Sequence, residues 1–263
     1  MVTGAASGLG LALARALAAR GDALMLADID EPALQAVAAE LRRTPGAHVS
    51  ARRCDVSQSA DVWALRDATL AEYGAVNLVF NNAGVAPMGA AWESSEHDWE
   101  RALGVNLWGV IHGVRAFMPV LLAQDAGRMV NTASVAGLVS PPGMAAYSAT
   151  KHAVVALSET LRHDLAARGS KVRCSVACPA YFPSAIGDAP PPEGETADQR
   201  RVRGMLRDAV AAGRLSADEV AARVLAGVAE DRFYILTHPK ILGAVHDRME
   251  DILEGREPRD PMA

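Results

Sequence analysis

Apolar positions along this chain follow two alternating repeats. Short continuous apolar runs of strand length are separated by longer stretches in which apolar residues recur every three or four positions. After an opening M-V-T and a Gly-rich turn comes LALARALAAR, dense in strong helix formers, with Ser7 set to cap it and Gly21 to stop it. ALMLAD reads as a buried strand ending at Asp28, and EPALQAVAAELRR as a helix that breaks at residues 44–46. HVSARRCDV predicts a strand ending at Asp55, and residues 59–73 a helix. VNLVF and RMVNTAS are strands that flank a long apolar helix over 103–124, in which Pro119 is placed to bend the axis. Residues 147–168 carry the helical stripe Ala153, Val154, Leu157, Leu161 and Leu165. VRCSVACP, two helical stretches ending at Gly213 and spanning 216–231, and the strand FYILTH follow. Strands alternating with helices predict an α/β fold built on a parallel sheet.

Composition narrows the picture. A chain of 263 residues, 50% hydrophobic, can bury a large core, and no repeat or shift of composition marks a second domain. The net charge of −5 and the lack of a basic stripe argue against nucleic acid. No uninterrupted apolar run reaches the roughly 18 residues of a membrane span, and no signal pattern opens the chain. Cys54, Cys174 and Cys178 form no disulfide framework, which fits a reducing, cytoplasmic setting. The seven histidines are scattered without metal-ligand spacing, so no metal is expected. No G-x-S-x-G elbow surrounds Ser134, which argues against a hydrolase.

Chemistry concentrates in a few places. Gly4, Gly8 and Gly10 form a turn that lets backbone N–H groups approach a pyrophosphate at a helix N-terminus. Asp28, 18 residues beyond Gly10, stands where a carboxylate accepts bonds from an adenosine ribose and repels a 2′-phosphate. No Lys or Arg lies in the turn or in residues 27–31, which favours NAD over NADP. The competing reading makes Asp28 a helix cap, although Asp30 is better placed for that task. Tyr147 and Lys151, four residues apart, share one helix face. A free Tyr titrates near 10, and a neighbouring Lys⁺ is expected to lower that value into a useful range. Ser134 ends a strand, where ligands bind in open α/β sheets.

The glycine turn, the N-N-A-G at 81–84, and the Ser134, Tyr147 and Lys151 set together resemble the short-chain dehydrogenase/reductase family, in its TGxxxGxG and YxxxK subgroup. The resemblance runs from Thr3 to about Pro239. It implies one Rossmann-like, doubly wound domain over 1–263, with helices on both faces of a mostly parallel seven-stranded sheet in the order 3-2-1-4-5-6-7. It also implies hydride transfer between a nicotinamide and a carbinol carbon, with Tyr147 as acid/base, Lys151 beside it and on the nicotinamide ribose, and Ser134 on the substrate oxygen. Asn106 would order a water leading to Lys151. The cofactor residues it implies are Gly4, Ser7, Gly8, Leu9, Gly10, Asp28, Asp55 and Val56 around the adenine, Asn82, Ala83, Gly84, Tyr147, Lys151, Pro179 and Ser184. Asp55 reads equally well as a turn residue. Pro179-Ala180 stands where the family usually has Pro-Gly, and Ser184 where it often has Thr. Related proteins pair the helices at 103–124 and 147–168 across a two-fold axis, so a homodimer or homotetramer is expected.

The departure from the family lies at the start, because only Met1 and Val2 precede Thr3. The first strand is therefore expected to be truncated and weak. Either the true start lies upstream, which is the favoured reading, or a stub suffices because its neighbours hold the gap. Met88, Trp92, Met144, Tyr181 and Phe182 would line an apolar substrate pocket if they converge, and residues 183–215 would form its lid. A small hydrophobic alcohol or ketone is the expected substrate. A catalytically silent cofactor sensor or scaffold and a two-domain epimerase stay open as other classes.

Overall fold

The computed structural model of the chain describes residues 1–184, 186 and 196–262. Seven strands form one all-parallel sheet: β1 (Val2–Thr3), β2 (Ala23–Asp28), β3 (His48–Arg53), β4 (Leu78–Asn81), β5 (Arg128–Thr132), β6 (Arg173–Cys178) and β7 (Tyr234–Leu236). Their order is β3-β2-β1-β4-β5-β6-β7, as the family resemblance implies.

Successive side chains of a strand point to opposite faces, and the core divides on that rule. Leu24, Leu26, Phe80 and Val130 join a cluster with α1 (Gly8–Ala19), α2 (Glu31–Leu41) and α8 (Ala217–Ala229). Met25, Ala27, Val79 and Met129 join the opposite cluster, with Leu65 of α3 (Ser59–Tyr73), Phe117 of α5 (Gly109–Gln124) and Leu161 of α6 (Ala145–Ala167). Fully buried side chains such as Phe80, Phe117 and Leu26 stabilise the fold by about 1.5–3 kcal/mol each.

The first strand is as short as expected, yet it pairs on both sides. Val2 and Thr3 register with Leu26 and Ala27, and Val2 with Phe80. Met1 extends the ladder: Phe80 N donates to Met1 O at 2.9 Å, and the Met1 amino group donates to Leu78 O at 2.9 Å. A two-residue stub thus carries the centre of the sheet.

Two helix starts and one internal segment differ from expectation. The helix expected at 103–124 begins earlier, as α4 (Glu96–Ala102), because Ser95 and Asp98 form a reciprocal capping box. A π-helical segment, Leu103–Trp108, joins α4 to α5. The helical stretch Glu96–Gln124 is long and apolar enough to cross a membrane by length and composition, and half of its apolar window is buried inside this fold. The helical stretch expected to end at Gly213 is α7 (Ala197–Ala211), which starts inside the expected lid, capped by Thr196 and Gln199. The remainder of the expected lid, residues 185 and 187–195, lies outside the described residues. The chain ends with α9 (Leu242–Glu254).

Candidate active site

The sheet order reverses between β1 and β4, and a cleft of about 840 Å³ opens there at the carboxyl ends of the strands. The glycine turn forms one end. Gly4 and Gly8 have φ of +66° and +52°, which favours glycine. A Cβ on Gly10 would lie 2.7 Å from Asn82 Nδ2 and against Gly4 O, so this position has room for no side chain. Ser7, the N-cap of α1, makes no side-chain cap bond, and Ser7, Gly8 and Leu9 line the cleft. The first turn of α1 therefore offers amides and a positive dipole end to an anion.

Thr3 ties this turn to the N-N-A-G segment. Its Oγ1 accepts from Asn82 N at 2.9 Å and Ala83 N at 3.1 Å, while Asn82 Nδ2 donates to Thr3 O at 3.0 Å. The two asparagines point to opposite sides. Asn82 serves the turn, whereas Asn81 donates to Asn131 Oδ1 and Asn131 donates to Ser158 Oγ beneath the sheet, each at 2.9 Å.

Asp28 faces the cleft, and Asp30 caps α2 by accepting from Ala33 N at 3.1 Å. Asp28 also pins the turn, since its Oδ2 accepts from Ala6 N at 2.9 Å. Its carboxylate keeps lone pairs for hydroxyl donors. Arg53, its register partner, reaches toward Asp61 at 3.9 Å. Asp55 is a turn residue and a cleft wall at once: Oδ1 accepts from Ser57 N and Oγ at 3.0 and 2.7 Å. Beside it, Val56 lines the cleft, and its carbonyl takes a bond from His112 Nδ1 at 3.0 Å. His112 is a packed, bonded residue.

Ser134, Tyr147 and Lys151 meet at the other end. The Ser134 hydroxyl donates to Pro179 O at 3.3 Å and accepts from Ala136 N at 3.1 Å. Lys151 Nζ donates to Thr132 O at 2.8 Å and lies 5.6 Å from the Tyr147 ring centroid. Burial pushes the Tyr147 phenol up to about 12, opposed by its hydrogen bond with Ser134. Burial also brings Lys151 down to about 8, with Cys178 opposing. The expectation that Lys151 holds the phenol below its ordinary value is corrected here, because desolvation is the largest influence on both groups.

Asn106 is fully buried, and its amide is occupied. Oδ1 accepts from Val85 N at 2.8 Å, and Nδ2 donates to Val85 O and Thr150 Oγ1 at 2.9 and 3.1 Å. It holds the loop after Gly84, which runs past Lys151. Ala83, Gly84, Pro179 and Ser184 all line the cleft, with Ser184 above Gly8.

The expected substrate wall is only partly correct. Met88, Met144 and Tyr181 cluster with Tyr147. Trp92 is 87% exposed and is absent from the lining, so it leaves the pocket. Its loop turns outward between Gly89, bridged to Met144, and the start of α4. Phe182 lines the cleft but packs with the α1 and α8 cluster instead of the substrate wall. Leu206 and Val210 of α7 complete the wall. They were legible only as an amphipathic stripe, with nothing to say which cavity it faces. Arg101 and Arg203 also line the cleft.

A family model described as short chain dehydrogenase matches residues 1–191. A crystal structure of a short-chain dehydrogenase/reductase from Burkholderia phymatum in complex with NAD is 50% identical, with a TM-score of 0.96 over 100% of this chain and 96% of that one. The 1-deoxy-11-beta-hydroxypentalenate dehydrogenase of Streptomyces exfoliatus is 37% identical over 96% of this chain and 87% of its own. A CLA biosynthesis dehydrogenase/reductase of Lactiplantibacillus plantarum is 30% identical over 98% and 93%. With the glycine turn lining a cleft at the sheet's switch point and these relatives across its length, the chain belongs to the short-chain dehydrogenase/reductase family of oxidoreductases.

Proposed function

We propose that this chain is an NAD-dependent oxidoreductase that interconverts a secondary alcohol and a ketone. The observation that carries the reading is the convergence of Ser134, Tyr147 and Lys151 in the same cleft as the glycine turn and Asp28. The cradle fits a dinucleotide. A Cβ at Gly4 would approach Ala83 Cα to 2.9 Å, the α1 N-terminus suits a pyrophosphate, and the Asp28 carboxylate suits ribose hydroxyls over a 2′-phosphate. The NAD complex of the Burkholderia relative supports the same choice.

A bound nicotinamide supplies the carbon that accepts or returns a hydride. The chain's own residues handle the proton and the geometry. Ser134 donates to the substrate oxygen and holds it against Tyr147. The Tyr147 oxygen takes the hydroxyl proton during oxidation and gives it back during reduction. A phenol near 12 is protonated around neutral pH, the form that acts as the acid toward a carbonyl oxygen. Lys151, at about 8, is mostly protonated at pH 7 and presents its ammonium beside the phenol. Asn106 is a positioning residue for the loop against Lys151, and a water relay from it to Lys151 forms part of the proposal. Met88, Met144, Tyr181, Leu206 and Val210 suit a small hydrophobic skeleton. The pentalenate enzyme, named for a hydroxylated carbon skeleton, is consistent with that class. Buried free thiols at Cys54, Cys174 and Cys178 suit a reducing cytoplasm. A homodimer or homotetramer through α5 and α6 belongs to the same proposal, and Trp108, half exposed beside α5, suits such a contact.

The test is Tyr147→Phe assayed with an alcohol and ketone panel. Turnover should fall by at least about 100-fold, with NADH affinity kept within a few fold. Full activity in that variant would sink the assignment.

A further inference from the structure

The segment Pro179–Ala180–Tyr181 forms one wall of the cleft where the two ends of the site meet. It is anchored from one side by the reaction centre, since Pro179 O accepts from Val135 N at 2.9 Å and from the Ser134 hydroxyl at 3.3 Å. On its other side stands His238, just beyond β7. Ala180 N donates to His238 Nδ1 at 3.1 Å, and the Thr237 hydroxyl lies 2.8 Å from the same nitrogen. A backbone N–H can only donate, so Nδ1 carries no hydrogen and the ring is the neutral Nε2–H tautomer. Nε2 is itself buried and has no protein partner among the described residues. Arg223 of α8 donates to Thr237 O at 2.6 Å and holds the base of this arrangement.

We propose that His238 is a positioning residue for the cleft: its neutral ring holds the Ala180 amide, and with it the Pro179–Tyr181 wall, and its protonation releases that wall. The inference rests on the reading of the cleft as a dinucleotide site. A proton on Nδ1 would set two donors face to face and leave the Ala180 N–H without an acceptor. The groups acting on the ring are consistent with a neutral resting state. Burial is the largest influence and lowers its pKa below the ordinary value of 6.5, and the Arg223 charge lowers it further, while a backbone bond at Tyr181 raises it. Lys240, two positions on, is exposed. The sign follows directly. For a lowered pKa the neutral, wall-holding ring is intact above pH 6.5 and is lost as pH falls through the folded-state value.

The test is NADH affinity by nucleotide fluorescence from pH 8.0 to 5.5 for the wild type, His238→Asn and His238→Leu. Asn keeps an acceptor oxygen close to the Nδ1 position and takes no proton; Leu has no acceptor. The wild type should lose up to about fivefold in affinity, the value of one hydrogen bond, as pH falls toward 5.5 through the folded-state value of His238. His238→Asn should stay within twofold across the range, and His238→Leu should bind weakly throughout. An acid loss in His238→Asn equal to that of the wild type overturns the proposal, as does wild-type affinity in a folded His238→Leu. If His238→Leu does not fold, the His238→Asn profile decides. Wild-type protein that binds neither NADH nor NADPH at any pH overturns the dinucleotide reading, and the proposal falls with it.

Discussion

Replacing Asn106 by Ala tests whether the loop over Lys151 is set by this one amide. The side chain makes three bonds, two to the Val85 backbone and one to Thr150. Thr150 keeps its own bond to Tyr147 O at 2.7 Å, so its loss is small. The Val85 N–H and C=O are left half-buried and unpaired, at about 1–3 kcal/mol each. Taking the lower half of that range gives a loss of about 3 kcal/mol, or a Tm lowered by about 6–12 °C for a chain of this size. Gly84 and Val85 line the cleft next to Lys151, so kcat/KM should also fall by about tenfold or more. Asn106→Asp is the informative companion. It keeps an acceptor for Val85 N–H but turns an oxygen toward Val85 O and places a charge in a site with no exposure. Calorimetry and steady-state kinetics at 20 °C read the two effects separately. A Tm within 2 °C of wild type would refute the bond accounting. A large Tm loss with unchanged kcat/KM would refute the positioning role.

Other substitutions probe the remaining parts of the site. Gly10→Ala has no space beside Gly4 O and Asn82 Nδ2, so NADH affinity should fall at least about tenfold in a titration; wild-type affinity would mean that the turn tolerates a side chain. Asp28→Ser removes the carboxylate from the ribose position and one tie on Ala6, so the ratio of NADPH to NADH affinity should rise about tenfold, and an unchanged ratio would locate discrimination elsewhere. Lys151→Met removes a buried amine whose pKa is lowered from 10.5 to about 8. For a lowered pKa the stability is present above 10.5 and is lost as pH falls through 8, and the lost part amounts to about 3 kcal/mol. The variant should therefore melt higher than wild type at pH 7, with the gap closing toward pH 10, while turnover disappears. A lower Tm at pH 7 would show that the bond to Thr132 O outweighs burial.

Much of this protein is written locally. The alternation of strand and helix patterns and the glycine turn were legible because backbone sterics and side-chain period act over a few residues, and the N-N-A-G segment was legible through the family resemblance. Gly10 is a glycine because its neighbours in space leave no room for a Cβ, and the turn chemistry makes that visible in sequence. The choice between Asp28 and Asp30 was also decidable, since a cap must stand at a fixed offset from its amide. What tertiary structure alone decided involves partners far apart in the chain. Leu206 and Val210 reach the Tyr147 wall from α7, Trp92 turns into solvent, and His238 meets Ala180 across 58 residues. The balance at Tyr147 and Lys151 belongs to the same class. Their spacing announced a pair, but how far burial outweighs charge depends on how much of the fold closes over them.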